Sequence, residues 1–305
     1  MKMLHRSFTL LCALCSPLAL AVGQGQISVS IAHFGDVTVH SLTAPEDSSM
    51  VSSHVVESDQ GLVLIDGQFL RPYAKQFRDY VDGLDKPMVE VLLSHHHPDH
   101  WMGLEYFPDV KVAAQQTVID NHKRMAPVYL KQKPQEYGAE MVIDYAIEIG
   151  RALANEETIA GLRYEFTLLK GGEAPAQTLI ALPDLGVMFV QDMVSSEAHA
   201  FFGARDLATW RTHLTELEAK KGDQVLFTGH GLPVQLRANA ILDQIAYLET
   251  AERLREQHQH ADYKTLKAAM IAAHPELKAN PLADIASKFY IEKVAPMLRE
   301  QRAAD

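Results

Sequence analysis

A cluster of four histidines and one aspartate occupies positions 95–100, directly after the apolar stretch PMVEVLLS at 87–94. The apolar stretch is typical of a buried strand, so the cluster falls where that strand ends. Side chains alternate along extended backbone, so His95 and His97 point to the same side and can converge on one ion. This pattern predicts a metal site at the end of a buried strand.

The turn after this strand adds two more candidate ligands. Pro98 fixes a bend, and the bend directs the Asp99 carboxylate and the His100 imidazole toward a neighbouring point. His96 points away, so we assign it to packing or to support of the ligands. The alternative is a solvated polar loop, but four histidines in six positions on such a turn are hard to explain in that way.

The remaining sequence predicts an α/β layered domain with two sheets, followed by a helical tail. Short alternating apolar runs before residue 66 predict strands, and the spacing of apolar residues predicts helices at 69–81 and 115–131. Strands are predicted again between 140 and 192, after which Asp206 is a candidate N-cap for a helix. From Pro233 onward we expect helices only, with an apolar stripe at Ile241, Ile245 and Leu248.

The first 21 residues have the order of a secretory signal peptide. Lys2 and Arg6 precede an apolar run, and the small residues at 19–21 form a cleavage site. An uncleaved anchor is the alternative, although the run is short for a membrane span. Cleavage removes both cysteines, Cys12 and Cys15, so the mature chain has no thiolate with which to bind metal or attack a substrate.

The charge of the chain argues against nucleic acid as a partner. Loss of Lys2 and Arg6 leaves 26 basic residues against 39 acidic ones, and such a balance repels phosphate backbones. The expected partner is a small-molecule substrate, with a homodimer as a further possibility. After cleavage we expect no stable membrane anchor.

Four segments together resemble the metallo-β-lactamase superfamily. The segment HHHPDH with Gly103 fits the H-x-H-x-D-H motif, and GLVLIDG, GVMFVQD and LFTGHG resemble the segments that end in Asp66, Asp192 and a late histidine, His230. The resemblance runs in order from about residue 27 to 235. It implies an αββα sandwich over residues 22–235, with metals at one edge between the sheets, and leaves 236–305 as a helical C-terminal extension.

The resemblance also implies a ligand set for two divalent metal ions. His95 and His97 would hold the first metal, Asp99, His100 and His230 the second, with Asp192 bridging. The family usually carries another histidine before a hairpin, but here the aligned segment is GGEAPAQ and Glu173 takes that place. A carboxylate can ligate the same ion. The alternative is that Glu173 is a solvated loop residue and only one metal position is good.

The implied chemistry is hydrolysis by a metal-bridged hydroxide, with Asp99 at the catalytic centre and His199 and Trp101 at the substrate. Asp192 and the absence of a mature cysteine make the site resemble those of glyoxalase II and the lactonases, so we expect an ester, lactone or thioester substrate. Zinc is the first expectation, with Mn or Fe as alternatives because Glu173 adds negative charge. A catalytically decayed metal- or ligand-binding protein, a β-lactam hydrolase and a redox member of the superfamily remain as alternatives.

The signal peptide predicts a periplasmic or secreted protein whose mature chain starts near Val22, because the small-x-small site ends at Ala21. Sequencing the N-terminus of the exported protein tests this. An intact Met1 on a cytoplasmic protein would contradict it.

Overall fold

The computed structural model describes residues 23–202, 206–220, 224–231, 233–258 and 263–278. The predicted signal peptide and its cleavage site therefore lie outside the described residues, as does the last part of the predicted helical tail. Within the described residues, no helix is both long enough and apolar enough to cross a membrane.

Two sheets form the centre of the fold. The first has seven strands in chain order, β1 Ser28–Phe34, β2 Val37–Thr43, β3 Ser52–Ser58, β4 Gly61–Ile65, β5 Met88–Leu92, β6 Val112–Ala114 and β7 Arg151–Ala152. The second has six strands, β8 Glu156–Ile159, β9 Leu162–Lys170, β10 Ala176–Leu182, β11 Val187–Ser195, β12 Val225–His230 and β13 Val234–Leu236, in reverse order across the sheet. Strands β4 to β7 pair in parallel, as do β11 and β12.

In the described residues, five α-helices cover the outer faces of the sheets. They are α1 Arg71–Asp82, α2 Gln116–Tyr137, α3 Leu207–Ala219, α4 Arg237–Gln257 and α5 Tyr263–Ala273. One outer core joins α1 and α2 to the first sheet, and another joins α3, α4 and α5 to the second. A third core fills the space between the sheets. This is the αββα sandwich that the sequence predicted.

The alternation of side chains along the strands builds these layers. On β4, Leu62 and Leu64 face the outer core under α1, while Val63 and Ile65 face the core between the sheets. A strand buried on both faces needs apolar residues at every position, which is why GLVLI reads as a continuous run.

Two secondary-structure predictions were wrong. Residues 140–150 form no strand, and only Arg151–Ala152 pairs with the first sheet. Val142 and Ile143 are apolar because they pack as irregular chain against the outer core, which periodicity alone does not distinguish from a strand. The expectation of no strand after Pro233 also failed, because Val234–Leu236 pairs with β12.

Other predictions were confirmed. Asp206 caps α3, with its carboxylate accepting a hydrogen bond from the Thr209 backbone N–H. The helix expected at 115–131 exists and continues to Tyr137, with Pro127 inside it.

The first part of the predicted tail packs on the sandwich. On α4, Ile241 and Leu248 are fully buried and Ile245 is half-buried, all against the outer core shared with α3. The apolar stripe is therefore covered by the protein's own second sheet. The boundary at residue 235 and a role of the tail in self-association stay predictions.

Leu248→Ala should lower the free energy of unfolding by about 2–5 kcal/mol, because it empties a fully buried position between α4 and the second sheet. Leu242→Ala on the same helix is the control, since this side chain is 51% exposed and its loss should change stability by about 0.5 kcal/mol or less. Urea unfolding measures both. Equal effects of the two variants would show that α4 does not pack as described.

Candidate metal centre

The candidate ligands come from one edge of both sheets. His95 follows β5, Asp192 lies on β11 and His230 ends β12, so the carboxyl ends of these strands meet at the same edge. The sheets are joined there, because the Thr178 N–H donates to the Ser94 carbonyl oxygen at 2.9 Å. The candidate ligands are thus positioned by the backbone of two sheets that are hydrogen-bonded to each other at this edge.

Three groups of candidate ligand atoms converge at this edge among the described residues, and the atoms of each group lie within 4.8 Å of one another; one of the three, Asp66 with His95 and His100, shares both histidines with the other two. The first group is His95, His97, Glu173 and Asp192, and the second is Asp99, His100 and His230. All seven residues are buried.

Asp192 lies between the two groups. Its Oδ2 is 3.7 Å from His95 Nε2 and 3.2 Å from His230 Nε2, and its Oδ1 is 3.3 Å from His100 Nε2. The close approach of Asp192 to β12 needs glycine at 229, since a Cβ there would lie 2.1 Å from Asp192 Oδ1. The position of Asp192 is therefore that of a carboxylate able to bridge two ions.

The donor atoms fit divalent cations. The buried atoms without a hydrogen-bond partner among the described residues include His95 Nε2, His97 Nε2, His100 Nε2 and His230 Nε2, both oxygens of Asp99 and Glu173, and Asp192 Oδ1. Buried polar atoms are normally hydrogen-bonded, and a cluster of orphaned imidazole nitrogens and carboxylate oxygens is what metal ions satisfy.

Glu173 belongs to the first group and is only 1% exposed. Its Oε1 is 3.1 Å from His97 Nδ1, and its Oε2 is 3.8 Å from His95 Nε2. The interpretation of Glu173 as a solvated loop residue was therefore wrong. Its carboxylate lies with the ligand atoms of the first group, and coordination of metal by it stays a prediction.

Asp66 supports ligands of both groups. Its carboxylate accepts hydrogen bonds from the Ser94 N–H at 2.8 Å and from Gln191 Nε2 at 2.6 Å, and it lies 2.7 Å from both Ser94 Oγ and His100 Nδ1. Ser94 Oγ is in turn 2.9 Å from His95 Nδ1. Because the Asp66 oxygens are saturated in this way, we assign the residue to orientation of the histidines and not to metal.

A backbone carbonyl orients His230. The Ser49 carbonyl oxygen accepts from His230 Nδ1 at 2.8 Å, which turns Nε2 toward Asp99 Oδ2 at 3.2 Å. Ser49 has a φ of 60°, and Met50 a φ of 53°, so two successive residues adopt the left-handed conformation that side chains disfavour. The loop between β2 and β3 thus carries local strain where it holds a ligand.

In the metal-free site, burial and the neighbouring carboxylates shift the pKa values of the histidines. Burial opposes charge on every imidazole, yet Asp192 and Asp99 raise the pKa of His230 to about 10, and Asp192 with Asp66 raises the pKa of His100 well above its usual value. Burial lowers the pKa of His95, and it raises the pKa of Glu173. His100 and His230 therefore keep their protons at neutral pH in the metal-free site, and metal binding must displace these protons.

Neither predicted substrate-binding residue lies with the ligands. Trp101 is 0% exposed and packs in the outer core, where its indole N–H donates to the His96 carbonyl oxygen at 3.1 Å. In this position it supports the ligand turn and has no surface for a substrate to touch. His199 is buried, with Nδ1 3.0 Å from Tyr247 Oη on α4, so it faces the helices.

The aromatic side chain that does reach a ligand is Phe201. Its ring lies edge-on to the His97 ring, with the centroids 5.3 Å apart and the planes at 90°. His96 points away from the ligand groups as expected, with its Nε2 3.5 Å from Tyr129 Oη. The roles of Ser94 and Gln191 were missed, because no local pattern marks contacts that form only when the two sheets meet.

Known proteins with similar sequences include alkylsulfatases. A linear primary-alkylsulfatase of Pseudomonas sp. (strain ATCC 19151) is 24% identical over 222 residues, which cover 60% of this chain and 42% of that protein. The alkyl/aryl-sulfatase BDS1 of Saccharomyces cerevisiae is 23% identical over 234 residues, covering 62% of this chain and 36% of that protein. The chain thus spans about two fifths of the length of these relatives.

Solved structures share the fold at low identity. A beta-lactamase domain protein from Burkholderia ambifaria superposes with a TM-score of 0.60 at 18% identity, over 94% of this chain and 91% of that one. The sec-alkylsulfatase Pisa1 from Pseudomonas sp. gives a TM-score of 0.55 at 20% identity, over 75% of this chain and 43% of that one.

A family model extends the match across most of the sandwich. The model described as the metallo-beta-lactamase superfamily matches residues 47–230, from the loop that orients His230 to His230 itself. The chain therefore belongs to the metallo-beta-lactamase superfamily.

Proposed function

We propose that this protein is a metal-dependent hydrolase that uses water to cleave an ester, with a sulfate ester as the first substrate class. The observation that carries the proposal is the position of Asp192 between the two groups of ligands. Its Oδ2 lies 3.2 Å from His230 Nε2 and 3.7 Å from His95 Nε2, and its Oδ1 lies 3.3 Å from His100 Nε2. A bridging carboxylate between two buried ligand sets is the arrangement for a binuclear hydrolytic site.

The residues divide into two sets of ligands. His95, His97 and Glu173 would hold one ion, Asp99, His100 and His230 the other, and Asp192 would bridge them. When bound, divalent ions would supply Lewis acidity and a water whose pKa is lowered toward ~7. We keep zinc as the first expectation, with Mn or Fe as alternatives favoured by the additional carboxylate.

Asp99 is the residue to which we assign the proton transfer. In the metal-free site burial opposes its ionisation, but His100 and His230 hold the pKa of the Asp99 carboxyl below its usual range. Bound cations in place of these charged imidazoles would also favour the ionised carboxylate. His230 Nε2 lies beside Oδ2 at 3.2 Å, and Oδ1 has no partner among the described residues. Oδ1 can therefore accept a hydrogen bond from the attacking water and receive its proton.

Two considerations support a sulfate ester. The curated relatives are named as alkylsulfatases, although the chain covers only part of each. The charge of the site agrees, because two dications would balance the four buried carboxylates, Asp66, Asp99, Glu173 and Asp192, and so remove the repulsion that these would exert on a monoanionic ester.

Carboxylic esters, lactones and thioesters form the second substrate class. The motivation is that Asp192 makes the site resemble those of glyoxalase II and the lactonases. This resemblance stays a prediction. Export to the periplasm or beyond, and a homodimer, also stay proposals that rest on the sequence alone.

Protein purified under gentle conditions should contain two metal ions per chain and should hydrolyse an alkyl sulfate, because both ligand groups are formed and buried. Elemental analysis gives the stoichiometry, and release of inorganic sulfate gives the activity. A lactone and a thioester are run in parallel to separate the two substrate classes. Two bound ions without turnover of any ester would identify a catalytically decayed protein, and a ratio of one or less after addition of Zn²⁺ or Mn²⁺ would reject the binuclear site.

Glu173→Ala should lose metal and activity together, because it removes a ligand and leaves only two imidazoles and the shared Asp192 carboxylate to hold the first ion. Deletion of a ligand typically weakens metal affinity by orders of magnitude, given binding energies of about 10 kcal/mol or more. Glu173→His should keep hydrolysis and shift the preference toward zinc, since it restores an imidazole and removes a negative charge. Metal titration and turnover measure both.

Glu216→Ala is the matched control, because Glu216 is an exposed glutamate on α3. It should leave metal content and turnover unchanged. If Glu173→Ala behaved like this control, Glu173 would not be a ligand.

A further inference from the structure

The segment 196–202, which we call the Phe201 loop, follows β11 and passes beside the first group of ligands. Phe201 contacts the ring of His97 edge-on, with 5.3 Å between centroids. It also packs against the outer core of the first sheet, where it is only partly buried. Phe201 therefore combines contact with a candidate ligand and an apolar side chain that is partly exposed.

Phe202, the next residue, turns in the opposite direction. It packs against the outer core of the second sheet, with its ring 5.6 Å from Tyr247 and 6.3 Å from Trp210. Adjacent side chains on extended backbone point to opposite sides, so anchoring of Phe202 directs Phe201 toward His97. The Phe201 loop is thus held between the two outer cores.

The chain beyond α5 holds the same loop from its other side. The Lys278 N–H donates to the Glu197 carbonyl oxygen at 2.8 Å, and the His199 N–H donates to the Lys278 carbonyl oxygen at 3.1 Å. The His199 ring adds a contact with Tyr247 Oη at 3.0 Å. The chain beyond α5 is therefore joined to the Phe201 loop by a short parallel bridge of backbone.

We propose that Phe201 determines specificity in this site, by presenting an apolar surface beside the first metal position to a hydrophobic alkyl or aryl group of the substrate. The backbone bridge between residues 197–199 and Lys278 keeps that surface in place. The inference rests on the proposed function in so far as the apolar group belongs to a hydrolysable ester.

The physical consequence is a dependence of affinity on chain length. Each methylene that is fully buried against apolar surface strengthens binding about fourfold, and one covered on a single side about twofold. The anionic end of such an ester would be held by charge at the metal centre. A change in the length of its alkyl chain therefore reports on the apolar surface alone.

The first experiment measures binding of butyl, hexyl and octyl sulfonate to the metal-loaded full chain by calorimetry. These sulfonates resemble alkyl sulfates but are not hydrolysed. The native protein should gain at least about twofold in affinity per methylene. Phe201→Ala should abolish the gain while metal content stays the same, and Phe201→Gln should do so while keeping the bulk of the side chain beside His97.

Phe202→Leu is the matched control, because this neighbour packs against the opposite core. It should keep the chain-length dependence. An unchanged dependence in Phe201→Ala and Phe201→Gln, or no dependence in the native protein, would overturn the proposal.

The second experiment separates the backbone bridge from the Lys278 side chain. Lys278→Pro removes the N–H that donates to Glu197, whereas Lys278→Ala keeps it and removes only an exposed ammonium 3.7 Å from Glu46. The proline variant should lose the chain-length dependence, and the alanine variant should keep it. Equal behaviour of the two variants would show that the bridge does not position Phe201.

Hydrolysis of the matching alkyl sulfates is measured alongside binding. Absence of turnover with a preserved chain-length dependence of sulfonate binding would reject the proposed function and leave the role of Phe201 standing. Turnover of alkyl sulfates at the same kcat/KM for every chain length would support the proposed function and reject the role of Phe201.

Discussion

The Asp66 carboxylate is the interaction on which the metal centre depends. It is completely buried and is hydrogen-bonded to the backbone N–H and hydroxyl of Ser94, the imidazole of His100 and the side-chain amide of Gln191. A buried carboxylate is costly unless hydrogen bonds saturate it, and here every partner also stands next to a ligand. Ser94 precedes and contacts His95, and Gln191 precedes Asp192. One charge in the first sheet therefore sets the orientation of ligands in both sheets and for both metal positions.

The same arrangement leaves three further carboxylates in a space without bulk water. Asp99, Glu173 and Asp192 are buried beside four imidazoles, and in the metal-free state these carboxylates raise the pKa values of His97, His100 and His230. Ion pairs of this kind offset only part of the cost of desolvation. Metal ions at these positions would satisfy the orphaned donor atoms, and their binding energy would add directly to the stability of this edge of the sandwich.

The sequence predicted the parts of the fold that are local and left out the parts that arise from tertiary contact. The ligand turn was predictable because strand alternation and Pro98 fix it within a few residues, and the buried strands were predictable from their apolar runs. Residues 140–150 were misassigned since an irregular segment packed on a core is as apolar as a strand. Glu173 was found by resemblance alone, and its burial beside His97 required the second sheet to be in place.

Neighbouring residues with opposite roles recur around the centre. The reason is alternation of side chains along extended backbone, except at Gln191, whose φ of 42° lies at a register shift between β11 and β12. His96 contacts Tyr129 on α2 while His95 and His97 face the metal positions, and Gln191 reaches Asp66 while Asp192 faces both groups. Phe202 enters one outer core, and Phe201 lies against His97. In each case one side chain anchors the backbone and its neighbour is directed by that anchor. The precision of the site therefore comes from packing on the far side of each strand or loop, so a substitution in the helical layers can act on the metal centre without touching a ligand.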